Sequence, residues 1–322
     1  MRALITGAEG FAGGHLVRYL QAQAPDWTLY GTARFADEPP AWLGEALAEM
    51  HVIDLRDSDV VRDLLDHVRP DYVFHLAAQA FVPRSFEEPW ETLENNIRSQ
   101  LNLLQGSLTL GIRPRMLVVS SAEVYGDVPA EQMPITEEFL LRPTNPYSVS
   151  KVAQDMLGLQ YHLSHDLPVV RVRPFNHIGP NQRPDFVAPA FAMQVARIER
   201  GLLPPVIQVG NLSARRDFTD VRDVVRAYHV AITRGQPGAV YNVCSGNAHS
   251  IQELLDILLG YSTVSVEVRI DPARLRPVDR PLVVGSAARL HADTGWQPAI
   301  SVADSLRDVL ETCRVRVAQE PA

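Results

Sequence analysis

Tyr147 and Lys151 stand four residues apart, a spacing that places a phenol and an amine on one face of a helix. A phenol ionises near ~10 in water, and a neighbouring ammonium favours its phenolate. The pair is therefore suited to passing a proton to or from a substrate oxygen. Composition singles out the same amine: of the 30 basic residues, all but Lys151 are arginine, and the planar guanidinium is no substitute for a compact ammonium on a slim stem. A third group comes from Ser120-Ser121-Ala122-Glu123-Val124-Tyr125-Gly126, where an apolar run ends in hydroxyls. Ser121, at the carboxyl end of a strand, faces the crevice where such sheets hold ligands and can hydrogen-bond the reacting oxygen. Glu123 adds a carboxylate two residues on.

The chemistry needs a partner, and the N-terminus supplies a place for one. The apolar run Ala3-Leu4-Ile5-Thr6 leads into Gly7-Ala8-Glu9-Gly10-Phe11-Ala12-Gly13 and then a helical pattern. Gly7 permits a tight turn, Gly10 lets the backbone approach a pyrophosphate, and Gly13 allows close packing of helix on strand. The helix start offers free N–H groups and a positive dipole end to the anion. The spacing is GxxGxxG rather than GxGxxG, and no Gly-Lys-Ser/Thr follows, which argues against a phosphate-transferring P-loop. After the second strand an NAD-selective site usually places an acid for the ribose hydroxyls. Here Gly31 and Arg34 occupy that region, so NADP(H) is favoured, with NAD(H) possible. Asp54 and Leu55 are expected at the adenine, and Leu76, Ala77 and Ala78 are small or apolar enough for the cofactor to lie close.

Elements of two kinds must position these groups. Short apolar runs at 2–6, 28–32, 50–54, 72–76, 116–120 and 169–173 read as strands buried on both faces. Helical patterns at 12–24, 57–68, 90–110 and 146–165 alternate with them. This predicts an α/β fold, a Rossmann-type doubly wound parallel sheet with right-handed crossovers. Asn145 is the expected cap of the helix that carries Tyr147, with Pro146 at its first position. Asn96 is expected to pin a loop or helix near the site, and His75 to serve structure rather than proton transfer. Beyond 173 the pattern loosens, with helices expected at 189–200, 220–234 and 251–259 and a strand at 239–243. We expect a dinucleotide-binding domain over 1–173, with 217–245 returning to it. A smaller, irregular sugar-nucleotide lobe would span 174–216 and 246–322.

In this order, GxxGxxG, His75-Leu-Ala-Ala, Ser-Ser-Ala-Glu-Val-Tyr-Gly and Tyr-x-x-x-Lys resemble the extended short-chain dehydrogenase/reductases. The second half adds more specific stretches: Arg173-Pro-Phe-Asn-His-Ile-Gly-Pro180, Val209-Gly-Asn-Leu212, Arg216-Asp-Phe-Thr-Asp-Val-Arg-Asp223, Tyr241-Asn-Val-Cys-Ser-Gly246 and Leu275-Arg-Pro277. Essentially the whole chain is similar to the GDP-6-deoxy-D-mannose reductases, whose close relatives are the GDP-mannose 4,6-dehydratases. The resemblance implies a catalytic set of Ser121, Tyr147 and Lys151, with cofactor contacts at Gly7, Gly10, Phe11, Gly13, Arg34, Asp54, Leu55, Leu76, Ala77, Ala78, Asn96, Tyr147 and Lys151. For a GDP-linked sugar it implies Ser85, Asn176, Val187, Asn211, Arg216 and Arg280, the two arginines gripping the pyrophosphate through their planar forks.

The activity implied is reduction of the C4 ketone of GDP-4-keto-6-deoxy-D-mannose, with Tyr147 donating the proton. The alternative is a GDP-mannose 4,6-dehydratase, which needs a further base and acid near C5 and C6. Glu123 occupies the position where the dehydratases carry a glutamate base. Ala122 leaves no acid or hydroxyl beside it, and Phe11-Ala12 replaces the Gln-Asp of the dehydratase loop. A 4-epimerase is a third choice. A silent cofactor-binding sensor would have no reason to keep Ser121, Tyr147 and Lys151 together.

The 322 residues, 46% apolar and 21% charged, suffice for a substantial core. A net charge of -8 argues against nucleic acid or an anionic membrane as partner. No apolar run approaches the roughly 20 residues a membrane helix needs, and no signal peptide is apparent, so a cytoplasmic location is expected. Cys244 and Cys313 lack metal-type spacing, and no metal is expected. The resemblance implies a homodimer through the helices at 90–110 and 146–165, the second carrying Met156, Leu157, Leu159 and Leu163. Burial of these side chains within one subunit is the competing account.

Overall fold

The structure, a computed structural model, describes residues 1–35, 41–274 and 280–320. Its first half alternates β1 (Arg2–Thr6), α1 (Phe11–Gln23), β2 (Thr28–Ala33), α2 (Ala41–Ala46), β3 (Glu49–Val52), α3 (Ser58–Val68), β4 (Tyr72–His75), α4 (Val82–Glu87), α5 (Pro89–Thr109), β5 (Arg115–Val119), α6 (Pro146–His165) and β6 (Val169–Pro174). The second half continues with β7 (Asn176–Ile178), α7 (Val187–Glu199), β8 (Val206–Val209), β9 (Arg215–Asp220), α8 (Val221–Arg234), β10 (Val240–Val243), β11 (Ala248–Ser250), α9 (Ile251–Gly260), β12 (Glu267–Ile270), β13 (Leu282–Val283), α10 (Ala288–Thr294) and α11 (Val302–Ala318).

Seven strands form one sheet in the order β10-β6-β5-β4-β1-β2-β3, and each neighbouring pair is parallel. This is the doubly wound sheet expected from the apolar runs. The order reverses between β1 and β4, so their carboxyl ends diverge into the crevice where such sheets bind ligands. The strands are short and apolar because both faces are covered. On one face α1 and α8 pack Leu16, Val17, Leu20, Val224 and Tyr228 against Ile5 and Leu117. On the other, α3 and α5 bring Val61, Leu65, Leu103 and Leu104 against Leu4, Val73 and Val118. Strands covered on both faces are mostly apolar, which explains the sheet's legibility in the sequence.

The second half differs from expectation in its detail. β10 joins the large sheet beside β6, but β9 pairs instead with β7, β11 and β13 in a small mixed sheet. α7, α9 and α11 close a separate apolar cluster around Phe191, Val195, Leu254, Leu258, Leu306 and Leu310. Neither the short strands of the small sheet nor α11 was expected from the sequence. Strands of two to six residues with mixed burial carry too little periodicity to announce themselves. Both cysteines are free and buried. Among the described residues, no helix is long and apolar enough to cross a membrane. The stretch Leu275-Arg-Pro277 lies outside the described residues.

Candidate active site

β5 delivers Ser120 and Ser121 to its carboxyl end, and a 3-10 turn at Ala122–Tyr125 follows. α6 begins across from it under a full capping box. The Asn145 carboxamide accepts from Ser148 N at 2.7 Å, and Ser148 Oγ receives the Asn145 amide at 3.1 Å. With Pro146 at the first helical position, the cap sets the rotation of the helix and hence the direction of Tyr147 and Lys151. Both are buried, and Ser121 shares a hydrogen bond with the Tyr147 phenol. Lys151 Nζ lies 5.8 Å from the centre of the Tyr147 ring and donates to the Val119 carbonyl at 2.9 Å. The structure therefore brings the three groups together at the carboxyl end of β5.

Burial decides their protonation. Loss of solvent pushes the Tyr147 phenol up to about 12; the bond from Ser121 opposes this and the charge of Glu123 adds to it. The same loss of solvent lowers the Lys151 amine to about 7. Expectation is corrected here: in this environment desolvation, not a neighbouring ammonium, governs Tyr147, so the phenol keeps its proton at neutral pH. His75, also buried, is lowered to about 3, first by desolvation and then by the Lys151 charge. Thr6 Oγ1 accepts from the amides of Leu76 and Ala77 at 3.1 Å, which leaves its own proton for His75 Nδ1 at 2.9 Å. The neutral imidazole thus ties β4 to β1.

The glycine turn fits a dinucleotide. Gly7 has φ of +67° and packs on Ala77, whose Cα would lie 3.1 Å from an added Cβ. At Gly13 an added Cβ would overlap the Gly7 carbonyl oxygen, so only glycine lets α1 start this close to β1. Gly10 caps α1 without a side-chain acceptor, leaving first-turn N–H groups free for a pyrophosphate. Phe11 stacks on His177 with ring centroids 5.8 Å apart, joining the turn to β7. Gly31 is buried in β2, where an added Cβ would lie 2.5 Å from Leu47 Cδ1. Arg34 donates to Asn95 at 3.2 Å and lies 3.9 Å from Asp54. The Arg56 guanidinium bonds Asp54 at 2.5 Å and holds its carboxyl down at about 2. Arg56, unremarked in the sequence, thus brings a second guanidinium to the carboxylate that Arg34 approaches. Leu55 is fixed through its carbonyl, which accepts from Asn102 at 2.9 Å.

Two expected contacts are engaged within the protein. The Asn96 carboxamide is buried, accepting from Gln79 N at 2.7 Å and donating to Gln79 O and Ser150 Oγ at 3.1 and 2.9 Å. These bonds pin the 75–79 segment to α6, the positioning role expected of Asn96. Ser85 is buried too, and donates to Val82 O at 2.7 Å within α4.

Asn176 opens β7, paired with Phe218 of β9, and Val187 starts α7. Arg216 sits in β9 and donates to the Arg280 carbonyl at 2.6 Å. Asn211 accepts from Ser213 N and Oγ at 3.0 and 2.8 Å. Arg280 Nη2 lies 2.7 Å from Glu123 Oε2, and its Nε 3.1 Å from Asp127. The sequence also concealed a support for α6. Asp155, one turn beyond Lys151, is buried between Arg171 at 2.6 Å and Arg173 at 2.7 Å, and Arg173 continues to the Tyr125 hydroxyl at 3.0 Å. The available signal was two arginines alternating through an otherwise apolar buried strand.

A doubly wound parallel sheet, a glycine turn after β1 and a Ser, Tyr-x-x-x-Lys cluster at the carboxyl end of β5 define an extended short-chain dehydrogenase/reductase. More narrowly, the chain belongs to the GDP-mannose 4,6 dehydratase family, whose model matches residues 4–309. It is 41% identical over 319 residues to the GDP-6-deoxy-D-mannose reductase of Pseudomonas aeruginosa, covering 99% of each chain. Among solved structures it resembles RMD from Pseudomonas aeruginosa complexed with NADPH, with a TM-score of 0.87 at 40% identity over 98% of this chain and 99% of that one. The NAD complex of UDP-glucose 4-epimerase from Thermus thermophilus follows at 0.84 and 30%, over 98% and 99%.

Proposed function

We propose that this protein reduces the C4 ketone of GDP-4-keto-6-deoxy-D-mannose to the alcohol, giving GDP-6-deoxy-D-mannose. NADP(H) is the favoured cofactor and NAD(H) the second; when bound, the nicotinamide supplies the hydride. The similarity to the P. aeruginosa reductase supports the GDP-sugar, and the arginines near the end of β2 support the 2′-phosphate of NADPH. Tyr147, protonated at neutral pH, gives its proton to O4 as the hydride reaches C4. Ser121 hydrogen-bonds the same oxygen and orients it. Lys151 would hold the nicotinamide ribose, and Asn96 and Asp155 act as positioning residues for the 75–79 segment and α6. Asn176, Val187, Asn211, Arg216 and Arg280 receive the nucleotide sugar. In this reading the lobes divide as 1–173 with 217–245, and 174–216 with 246–322, the α7–α9–α11 cluster being the core of the second.

The observation that carries reduction over dehydration is the state of Glu123. A dehydratase needs that carboxylate free to take the C5 proton. Here Oε2 receives Arg280 at 2.7 Å and Asn145 at 3.4 Å, and Ala122 offers no partner acid. The test offers purified protein GDP-4-keto-6-deoxymannose with NADPH, and separately GDP-mannose without reductant. Stoichiometric oxidation of NADPH is expected in the first. Conversion of GDP-mannose to a keto sugar without net cofactor change would instead establish the dehydratase. Tyr147→Phe should lose about 10²–10⁴-fold in turnover while still binding NADPH.

The protein acts in this reading as a cytoplasmic homodimer. Val149, Met156 and Leu163 recur every seven residues along α6 and are exposed, an apolar stripe suited to a second copy packed through α5 and α6.

A further inference from the structure

We propose that Glu49, His51 and His67 form a binding site for a divalent first-row transition ion of the zinc class, away from the crevice. Glu49 and His51 lie two apart on β3, the edge strand of the large sheet, and therefore share one face of it. His67 stands in the last turn of α3 and turns back toward them, its ring 5.7 Å from that of His51. Each of the three offers one ligand atom, and those atoms all lie within 4.8 Å of one another.

The His51–Glu49 pair has the spacing of two ligands on one ion rather than of a hydrogen bond. Around a tetrahedral ion with bonds of about 2.0–2.1 Å, two ligand atoms stand roughly 3.3 Å apart. His51 Nε2 and Glu49 Oε2 are separated by 3.3 Å. Yet His51 Nε2 is buried and has no hydrogen-bond partner, the approach to the carboxylate having the wrong direction for one. A buried ring nitrogen left unpaired is costly, and a metal is the acceptor of its lone pair that the site lacks. His67 Nε2 reaches the same carboxylate oxygen at 2.8 Å. Two imidazoles and one carboxylate select zinc-class ions over magnesium or calcium, which prefer oxygen throughout. The cluster opens on a shallow cavity of about 360 Å³, lined by His51, Ile53, Val60, Asp63, Leu64 and His67. Water from that side would complete the coordination.

Such an ion would clamp the free edge of the sheet to α3. In the test, chelator-treated full-length protein is titrated with Zn²⁺ by calorimetry, and with Co²⁺ while its visible absorption is followed. One equivalent should bind per chain, with a Co²⁺ spectrum of nitrogen and oxygen ligation. His51→Gln and His67→Gln should each weaken binding at least about tenfold, and the double variant should abolish it, with circular dichroism unchanged. Absence of saturable binding by the wild type, or binding undiminished in the double variant, overturns the site.

Discussion

Arg280 and Glu123 are locked together at 2.7 Å between the small sheet and the 3-10 turn that follows β5. The pair continues on both sides, because Asn145, the cap of α6, reaches Glu123 at 3.4 Å and Arg216 donates to the Arg280 carbonyl at 2.6 Å. A line of polar contacts thus runs from the helix that carries Tyr147 to the residues proposed to hold the pyrophosphate.

In the proposed reading Glu123 orients Arg280 rather than removing a proton. Glu123→Gln is expected to keep reductase turnover within about an order of magnitude, with a raised KM for the nucleotide sugar. A base would lose about 10²-fold or more in turnover. Steady-state kinetics with kcat and KM resolved separately distinguish the two.

Lys151 titrates alone, being the single lysine of the chain. Isotope-labelled lysine should give one side-chain resonance whose midpoint falls near 7 in the ligand-free protein; a midpoint near 10 would contradict its desolvation. The sign for stability follows. Above pH 7 the unfolded chain still holds the proton that the folded one has released, so stability rises with pH until the unfolded amine also titrates. Urea unfolding of Lys151→Met should lose that rise.

Arg34 and Arg56 share Asp54 at 3.9 and 2.5 Å. With a 2′-phosphate as their proposed ligand, Arg34→Ala should lower the preference for NADPH over NADH by about tenfold or more, since a hydrogen bond to a charged group contributes about 1.5–3 kcal/mol. An acid introduced at position 31 should not create an NAD enzyme, because any Cβ there meets Leu47, Ala8 and Met50 within 2.9 Å. Measured KM values for both cofactors check both statements.

The apolar stripe on α6 makes a further prediction. Met156→Glu with Leu163→Glu places two charges on an exposed face, so the folded chain should survive while a dimer does not. Sedimentation of wild type and variant at micromolar concentration is the measurement; a monomeric wild type removes the dimer.

What the sequence determined by itself is the half of the protein governed by local rules. Strands covered on both faces are mostly apolar, and a helix that starts against the Gly7 carbonyl admits only glycine at Gly13. A phenol and an amine four residues apart must share a helix face. Those constraints are written in neighbouring residues, and they made the sheet, the glycine turn and the Ser121, Tyr147 and Lys151 cluster legible. Tertiary structure decided what depends on residues distant in the chain. It turned Asn96 and Ser85 inward, set Asp155 between Arg171 and Arg173, and joined Arg280 to Glu123. It also reversed the expectation for the Tyr147 phenol, because the cost of burying a charge depends on everything packed around it, and no spacing of residues encodes that environment.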